Sequence, residues 1–388
     1  MDSADAVGNI GHMSVALGMP MVRGEDTVTV ARRRLVERTE DFPGGPGLAD
    51  RTGRIGEDLR ISVIDKCNLR CGYCMPAEGM QWLPREDLLS AAEIVRIVRI
   101  GVRLGVRELR LTGGEPLVRP DLEEIIAGVH SAHPELPISL TTNGIGLDKR
   151  AAGLVRAGLR RINVSLDTVD PQVFARMTRR DRLPRVLAGI AAARAAGLDP
   201  IKVNAVVLHG QNDHTVLELL DYCLAHGLQL RFIEQMPLDA DHGWTRERMV
   251  DAAWLRTTLA RKYVLEPVAE PRGGAPAELY EVRAADPVAP GRAAVLGRVG
   301  MIASVTEPFC AACTRTRITA DGRVRSCLFS REEFDLAGLL RSGAGDALIA
   351  DTWQRAMWLK PRAHGMDHAG LGDADYVQPE RSMSAIGG

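Results

Sequence analysis

LRISVIDKCNLRCGYCMP, residues 59–76, is the stretch from which the rest of the chain is read. Its first half, LRISVI, is a short β-branched run with apolar and polar residues alternating, the pattern of a strand. Its second half spaces Cys67, Cys71 and Cys74 as CxxxCxxC in the loop at that strand's carboxyl end. Three thiolates suffice to hold three irons of a 4Fe–4S cluster and leave the fourth iron open to an outside ligand. The competing reading is zinc, but a structural zinc site wants four protein ligands and no fourth Cys or His lies near in sequence.

Outward from this stretch, similar short runs recur at VRELRLT (106–112), PISLTTN (137–143), RINVSLD (161–167), IKVNAVVL (201–208) and LQLRFIEQM (228–236). Amphipathic stretches lie between them, around 88–104, 121–132, 148–157, 171–178, 184–197 and 212–226, several closed by glycine, as at Gly105, Gly158, Gly197 and Gly227. This alternation predicts an α/β fold with a parallel sheet and right-handed crossovers, either open or rolled into a barrel or partial barrel. Gly113-Gly114-Glu115, Thr141-Thr142-Asn143, Ser165-Leu166-Asp167 and Gln235-Met236 fall at the carboxyl ends of their strands, where such folds build sites.

The chain has 388 residues and seven cysteines, and six of these form two triplets. The second is Cys310, Cys313 and Cys327, again without an obvious fourth ligand, so a second cluster with an open iron follows from the same count. A zinc knuckle is the bland alternative, weakened by the lack of a second CxxC. In an extended segment after Cys313, Arg315, Arg317 and Thr319 share one face and Thr316 and Ile318 the other. Cys223 continues the stripe Val216, Leu219, Leu220, Cys223, Leu224 and reads as helix core.

With 49 Lys+Arg against 50 Asp+Glu the net charge is −1, which supplies no global field for nucleic acid. No apolar run approaches the roughly 18 to 20 residues that span a bilayer. Acids at Asp2 and Asp5, with no basic segment leading into an unbroken apolar one, give a cytoplasmic reading. Residues 1–52, rich in Gly, Met, Arg and acids, read as a disordered extension, 53–240 as the barrel, 241–340 as a smaller irregular region with the second triplet, and 341–388 as a tail ending in Gly387-Gly388.

CxxxCxxC after the first strand with Gly113-Gly114-Glu115-Pro116 after the second resembles the radical S-adenosylmethionine (SAM) superfamily, which implies a partial (β/α)6 TIM-like barrel. From about Arg54 to Cys327, and again at Gly387-Gly388, the blocks LRLTGGEPL, LTTNG, NVSLDT, IKVNAV, RFIEQMP and CTRTRITADG resemble MoaA-type GTP 3',8-cyclases of molybdenum cofactor biosynthesis. Thr314 departs from that pattern, where an Asn commonly precedes the first arginine. The resemblance implies two 4Fe–4S clusters, SAM contacts at Tyr73, Gly114, Ser165 and Met236, and GTP contacts at Arg60, Arg110, Thr141, Lys202, Arg315, Thr316 and Arg317. It implies catalytic support from Arg315, Arg317, Gly387 and Gly388. The implied reaction removes hydrogen from ribose C3' of GTP with a 5'-deoxyadenosyl radical and joins C3' to guanine C8. The implied partners are a flavodoxin- or ferredoxin-type electron donor and cyclic pyranopterin monophosphate synthase, with monomer and homodimer both open. Two rival readings are a peptide-modifying radical SAM enzyme, which usually carries more C-terminal cysteines, and a non-catalytic zinc protein.

Overall fold

In β1 (Asp58–Ile64) every residue is buried and the two faces divide with period two: Leu59, Ile61 and Val63 enter the main apolar core, and Arg60 and Ser62 point the other way. The structure is a computed structural model that describes residues 27–239, 243–285, 294–363, 381 and 383–386. Helix α1 (Thr27–Arg38) precedes β1. After it come α2 (Ala91–Arg103), β2 (Glu108–Gly113), α3 (Leu122–Ala132), β3 (Ile138–Thr142), α4 (Leu147–Ala157) and β4 (Arg161–Ser165). The pair α5 (Pro171–Thr178) and α6 (Leu183–Ala195) leads to β5 (Ile201–Val207), α7 (Val216–Ala225) and β6 (Gln229–Glu234). β1 to β6 pair in order and in parallel, which is the (β/α)6 core that the sequence predicts.

Local chemistry sets the helix starts. Ser90 and Glu93 form a reciprocal capping box at α2. Asp170 accepts from the amides of Gln172 and Val173, both at 2.8 Å, with Pro171 opening α5.

Beyond β6 the smaller C-terminal region that the sequence predicts extends both edges of the same sheet. After α8 (Ala252–Leu259), the antiparallel strands β7 (Tyr263–Pro267), β8 (Glu278–Ala284) and β9 (Val295–Ile302) attach through a parallel β6–β9 pairing. β10 (Arg315–Ile318) then pairs in parallel with β1, and β11 (Arg323–Arg325) and β12 (Phe334–Asp335) follow it antiparallel. The resulting order is β12-β11-β10-β1-β2-β3-β4-β5-β6-β9-β8-β7. Side chains of β10, near one end, and of β6 and β9, toward the other, line one cavity, so the sheet is rolled into a partial barrel.

Two boundaries shift from expectation. Inside the expected extension, α1 packs on α10 (Asp346–Trp358), which lies inside the expected tail; Leu35 is buried, Arg32 pairs with Asp351 at 3.3 Å, and Arg355 donates to the Thr39 carbonyl at 3.1 Å. Composition averaged over 52 residues hid that helix. The apolar stripe Ile349, Trp353, Ala356 and Met357 buries α10, while α9 (Leu336–Arg341) precedes it and α11 (Met383–Ile386) touches β1 and β2.

Candidate active site

The parallel register places Arg317 of β10, Arg60 of β1 and Arg110 of β2 side by side on three adjacent strands. Like charges set directly opposite one another repel, so nothing in strand pairing itself favours this row. One step toward the strand starts, Asp58 sits between Arg315 and Glu108 and lies 3.6 Å from the Arg60 guanidinium. Burial pushes Arg60 down to about 10, Arg110 and Arg315 adding to the fall against the pull of Asp58. Burial, with Arg60 and Arg315 nearby, takes Arg317 to about 9. The Asp58 carboxyl, though burial raises it, is held below its ordinary range by Arg60, Arg110, Arg315 and Arg317.

These arginines line a cavity of about 950 Å³, its open mouth included, together with Thr141, Arg231, Met236, Phe309 and all three cysteines of the second triplet. Among the described residues, Arg60 Nε, Arg110 Nε, Arg231 Nε and Arg315 Nη2 are buried without a hydrogen-bond partner. Orphan arginine Nε atoms also occur off this wall, at Arg32, Arg70, Arg161 and Arg325, so what distinguishes the cavity is that four such donors line one space suited to an anionic, acceptor-rich ligand.

Around the second triplet the backbone is tied down by cations. Cys310 opens a single 3-10 turn, with the Cys313 amide donating to its carbonyl at 3.2 Å. Arg54 donates to that same Cys310 carbonyl at 2.8 Å, and buried Lys360 donates to the carbonyls of Cys313 (3.1 Å) and Arg315 (2.7 Å). Arg315 Nε donates to Cys313 Sγ at 3.3 Å while its guanidinium lies 4.7 Å from the Phe309 ring centroid. Burial raises the Cys313 thiol, but Arg315 and Lys360 overcome it and bring the group down to about 6, which favours the thiolate.

The first triplet is held by hydrogen bonds from the loops of β2, β3 and β4. Gly114 N donates to the Ile64 carbonyl at 2.7 Å and Glu115 N to Lys66 at 2.9 Å, so these loops lie backbone on backbone. A side chain at Gly114 would put a carbon 2.2 Å from the Asp65 carbonyl oxygen. The buried Glu115 carboxyl accepts from Thr142 Oγ1 (2.6 Å), Leu117 N (2.9 Å) and Asn143 N (2.6 Å), and burial lifts it to about 7 despite them. Asn143 Nδ2 reaches Asn68 Oδ1 at 2.6 Å and Cys67 Sγ at 4.0 Å. All the cysteines are free thiols, and Cys74 and Met75 both donate to the Cys71 carbonyl at 2.9 Å, which folds Cys71 and Cys74 into one tight turn. Each triplet supplies three free thiols, the donor number that a three-thiolate cluster takes, although among the described residues no group of three or more Cys, His, Asp or Glu is placed to hold a single metal ion.

Of the predicted SAM contacts, Met236 lies on the cavity wall, while Gly114, just past β2, and Ser165, at the end of β4, stand off that wall. The Tyr73 hydroxyl is engaged by Asp167 Oδ2 at 2.8 Å. Lys202 is not on the wall; it neighbours Arg231, Arg161 and Arg110, and burial together with those charges pushes it down to about 8. The side chain of Thr316 is on the wrong face for a GTP contact: strand alternation turns it outward, where its Oγ1 accepts from Trp353 Nε1 at 2.9 Å in the core. Gly387 and Gly388 lie outside the described residues. Cys223 is fully buried in α7 as expected.

Sequence reasoning passed over Arg231 and Asn204. They are register partners on β6 and β5, and both line the cavity. The signal was present, since Lys202/Asn204 and Arg231/Ile233 alternate with buried Val203/Ala205 and Leu230/Phe232 as Arg60 does with Leu59 and Ile61.

Residues 61–223 match the Radical SAM superfamily and residues 228–366 match Molybdenum Cofactor Synthesis C. Fold and site together define a radical SAM enzyme. The chain is similar to the GTP 3',8-cyclase of Paenarthrobacter nicotinovorans, 62% identical over 346 residues that cover 89% of this chain and 98% of that one. It is also similar to the GTP 3',8-cyclase of Mycolicibacterium smegmatis, at 57% identity covering 89% and 93% of the two chains. Among solved structures it is similar to Streptococcus suis SuiB bound to S-adenosylmethionine, with TM-score 0.43, 19% identity, and coverage of 59% of this chain and 47% of that one. The chain belongs to the GTP 3',8-cyclase family.

Proposed function

We propose that the cavity binds GTP and that the chain converts it to (8S)-3',8-cyclo-7,8-dihydro-GTP, the first step of molybdenum cofactor biosynthesis. The row Arg317, Arg60, Arg110 carries this reading, because three cations in register, two of them buried and Arg110 half-buried, suit a polyanion, and a nucleoside triphosphate brings about four negative charges. When bound, SAM and a 4Fe–4S cluster on Cys67, Cys71 and Cys74 supply the radical that takes hydrogen from ribose C3', and a second cluster on Cys310, Cys313 and Cys327 supplies an open iron for the purine. The chain itself binds, orients and excludes water. Arg60, Arg110 and Arg317 neutralise phosphate oxygens, and Arg315, on the cavity wall beside Cys313, stabilises charge on the substrate. Tyr73, Gly114, Ser165 and Met236 are assigned to SAM. Thr141 and Lys202 are assigned to the nucleotide, Lys202 through its field.

Family membership supports three further assignments: a flavodoxin- or ferredoxin-type reductant, delivery of product to cyclic pyranopterin monophosphate synthase, and a role for Gly387-Gly388 near the substrate. No helix among the described residues is long and apolar enough to cross a membrane; a GTP-consuming pathway favours the cytoplasm. The test is anaerobic incubation of reconstituted chain with SAM, dithionite and either GTP or ATP. Deoxyadenosine and cyclised product with GTP alone are expected, and equal turnover of ATP or none of GTP overturns the reading.

A further inference from the structure

From the last residues of α5 to the first of α6 the chain reads RMTRRDRLPR, residues 176–185, with five arginines and one acid in a protein whose net charge is −1. Arg176, Arg179, Arg180, Arg182 and Arg185 are all exposed. Among the described residues none of them forms a salt bridge; Arg179, Arg180 and Arg182 donate instead to the carbonyls of Met75 (3.1 Å), Arg179 (2.8 Å) and Asp181 (3.0 Å). A turn that only needed solubility would mix signs, as the surface pairs elsewhere on this chain do.

This turn is fastened to the first cysteine loop. Arg70 N donates to the Thr178 carbonyl at 3.0 Å and Gly72 N to Met177 at 3.1 Å, so two backbone hydrogen bonds grip the loop on either side of Cys71. Arg179 holds φ at 54°, the one non-glycine residue with positive φ among the described residues, and its guanidinium crosses to the Met75 carbonyl beyond Cys74. Gly72, between Cys71 and Tyr73, is exposed. The chain thus holds an unpaired basic surface, by direct hydrogen bonds, against the outer side of the loop that carries Cys67, Cys71 and Cys74.

We infer that this surface docks an acidic one-electron carrier protein that reduces the first cluster. The inference rests on the reading that the first triplet holds such a cluster. In the transfer one electron leaves the carrier's reduced flavin and enters the cluster, and no bond is made or broken. Nucleic acid or an anionic membrane would call for a broader basic field than ten residues of a nearly neutral chain provide. A small acidic protein matches the size of the patch, and charge complementarity of this kind raises association rates by about 10- to 1000-fold at low salt.

The test uses the reconstituted full chain, a photoreduced acidic flavodoxin as probe, and the variant R176E/R180E/R185E. Arg179 and Arg182 are left intact because they support the loop and the start of α6. Stopped-flow absorbance of the cluster should show reduction by flavodoxin at least tenfold slower in the variant, with the wild-type rate falling steeply between low and high salt and the variant rate flat. Iron content, GTP affinity and reduction by dithionite should match wild type. The neutral variant R176Q/R180Q/R185Q should fall between the two. Wild-type flavodoxin rates in either variant overturn the proposal. Tighter binding of single-stranded DNA or of phosphatidylserine vesicles than of flavodoxin at the same salt also overturns it. Failure of GTP to yield product with dithionite would strike the GTP-cyclase reading alone, since cluster reduction is read without substrate.

Discussion

Around Cys67 and Cys71 the strongest ionisable influences are burial and acids: burial and Glu115 push the Cys67 thiol up, and burial and Asp167 push Cys71 well up. Around Cys313 they are cations, and Arg315 and Lys360 bring that thiol to about 6. Asp167, like Glu115, is lifted by burial, to about 6, although Tyr73 and the Val206 amide donate to it. Cys67 and Cys71 thus stand in a field opposite to that at Cys313. The first triplet is positioned by a carboxyl and amide network that locks neighbouring loops backbone to backbone, suited to a site that must hold one geometry. Positive charge is stored at the second in excess of the protein's own acids, suited to a site completed by an anionic substrate.

The largest expected effect tests whether the two triplets divide labour. Reconstituted wild type should hold about eight irons, and replacing Cys67, Cys71 and Cys74 by Ala should leave about four and abolish deoxyadenosine formation from SAM. Replacing Cys310, Cys313 and Cys327 should also leave about four but keep deoxyadenosine measurable while cyclised product disappears. Loss of SAM cleavage in both variants would erase the distinction.

Next in size is the stored charge. Arg317→Ala should weaken GTP binding by about 1.5 to 3 kcal/mol, roughly ten- to a hundredfold by calorimetry, because it removes a buried charge-assisted contact. Arg317→Lys should recover little, since an ammonium lacks the planar fork. SAM affinity should stay within about twofold in both, and a parallel loss of SAM binding would mean the two sites are not electrostatically separate.

What the sequence made legible was local. The alternation in LRISVI, the cysteine spacing and the loops at strand ends each depend on residues within a few positions, and all six barrel strands lie where those patterns put them. The row of Arg317, Arg60 and Arg110 was not legible as a row. It needs the register between β10 and β1, a pairing of segments about 250 positions apart that no local period reveals. Arg231 was readable in principle, yet a lone arginine in a strand reads as surface until the rolled sheet turns its face inward. α10 was missed because the tail was judged by its composition rather than by its stripe.

Glu115 gives a pH test of the carboxyl network. Its folded value of about 7 lies above its ordinary 4.5, so between these the folded chain binds more protons than the unfolded one. Its stabilising contribution is complete below about 4.5 and is lost as pH rises through about 7, roughly 3 kcal/mol in total. Glu115→Gln removes that slope. Urea midpoints of the metal-free chains should show the advantage of wild type over the variant shrinking from pH 5 to pH 7.5, and an advantage independent of pH would show Glu115 charged throughout.

The smallest effect separates Thr316 from the arginines on either side of it. Its hydroxyl is fully buried and accepts from the indole of Trp353, while its main chain stands in register with Leu59 of β1. Thr316→Val keeps the shape but leaves a buried N–H without an acceptor, which should cost about 1 to 2 kcal/mol in urea unfolding. GTP affinity should stay within about twofold, in contrast to the loss at Arg317, because the side chain never reaches the cavity. Trp353→Phe, removing the donor, should be costly on its own through lost packing. The double variant Thr316→Val with Trp353→Phe should then be more stable than the sum of the two losses predicts, since no donor remains unsatisfied. Strict additivity would mean the hydrogen bond contributes nothing. A tenfold loss of GTP affinity in Thr316→Val at unchanged stability would turn this residue back toward the substrate and break the alternation on which the arginine row depends.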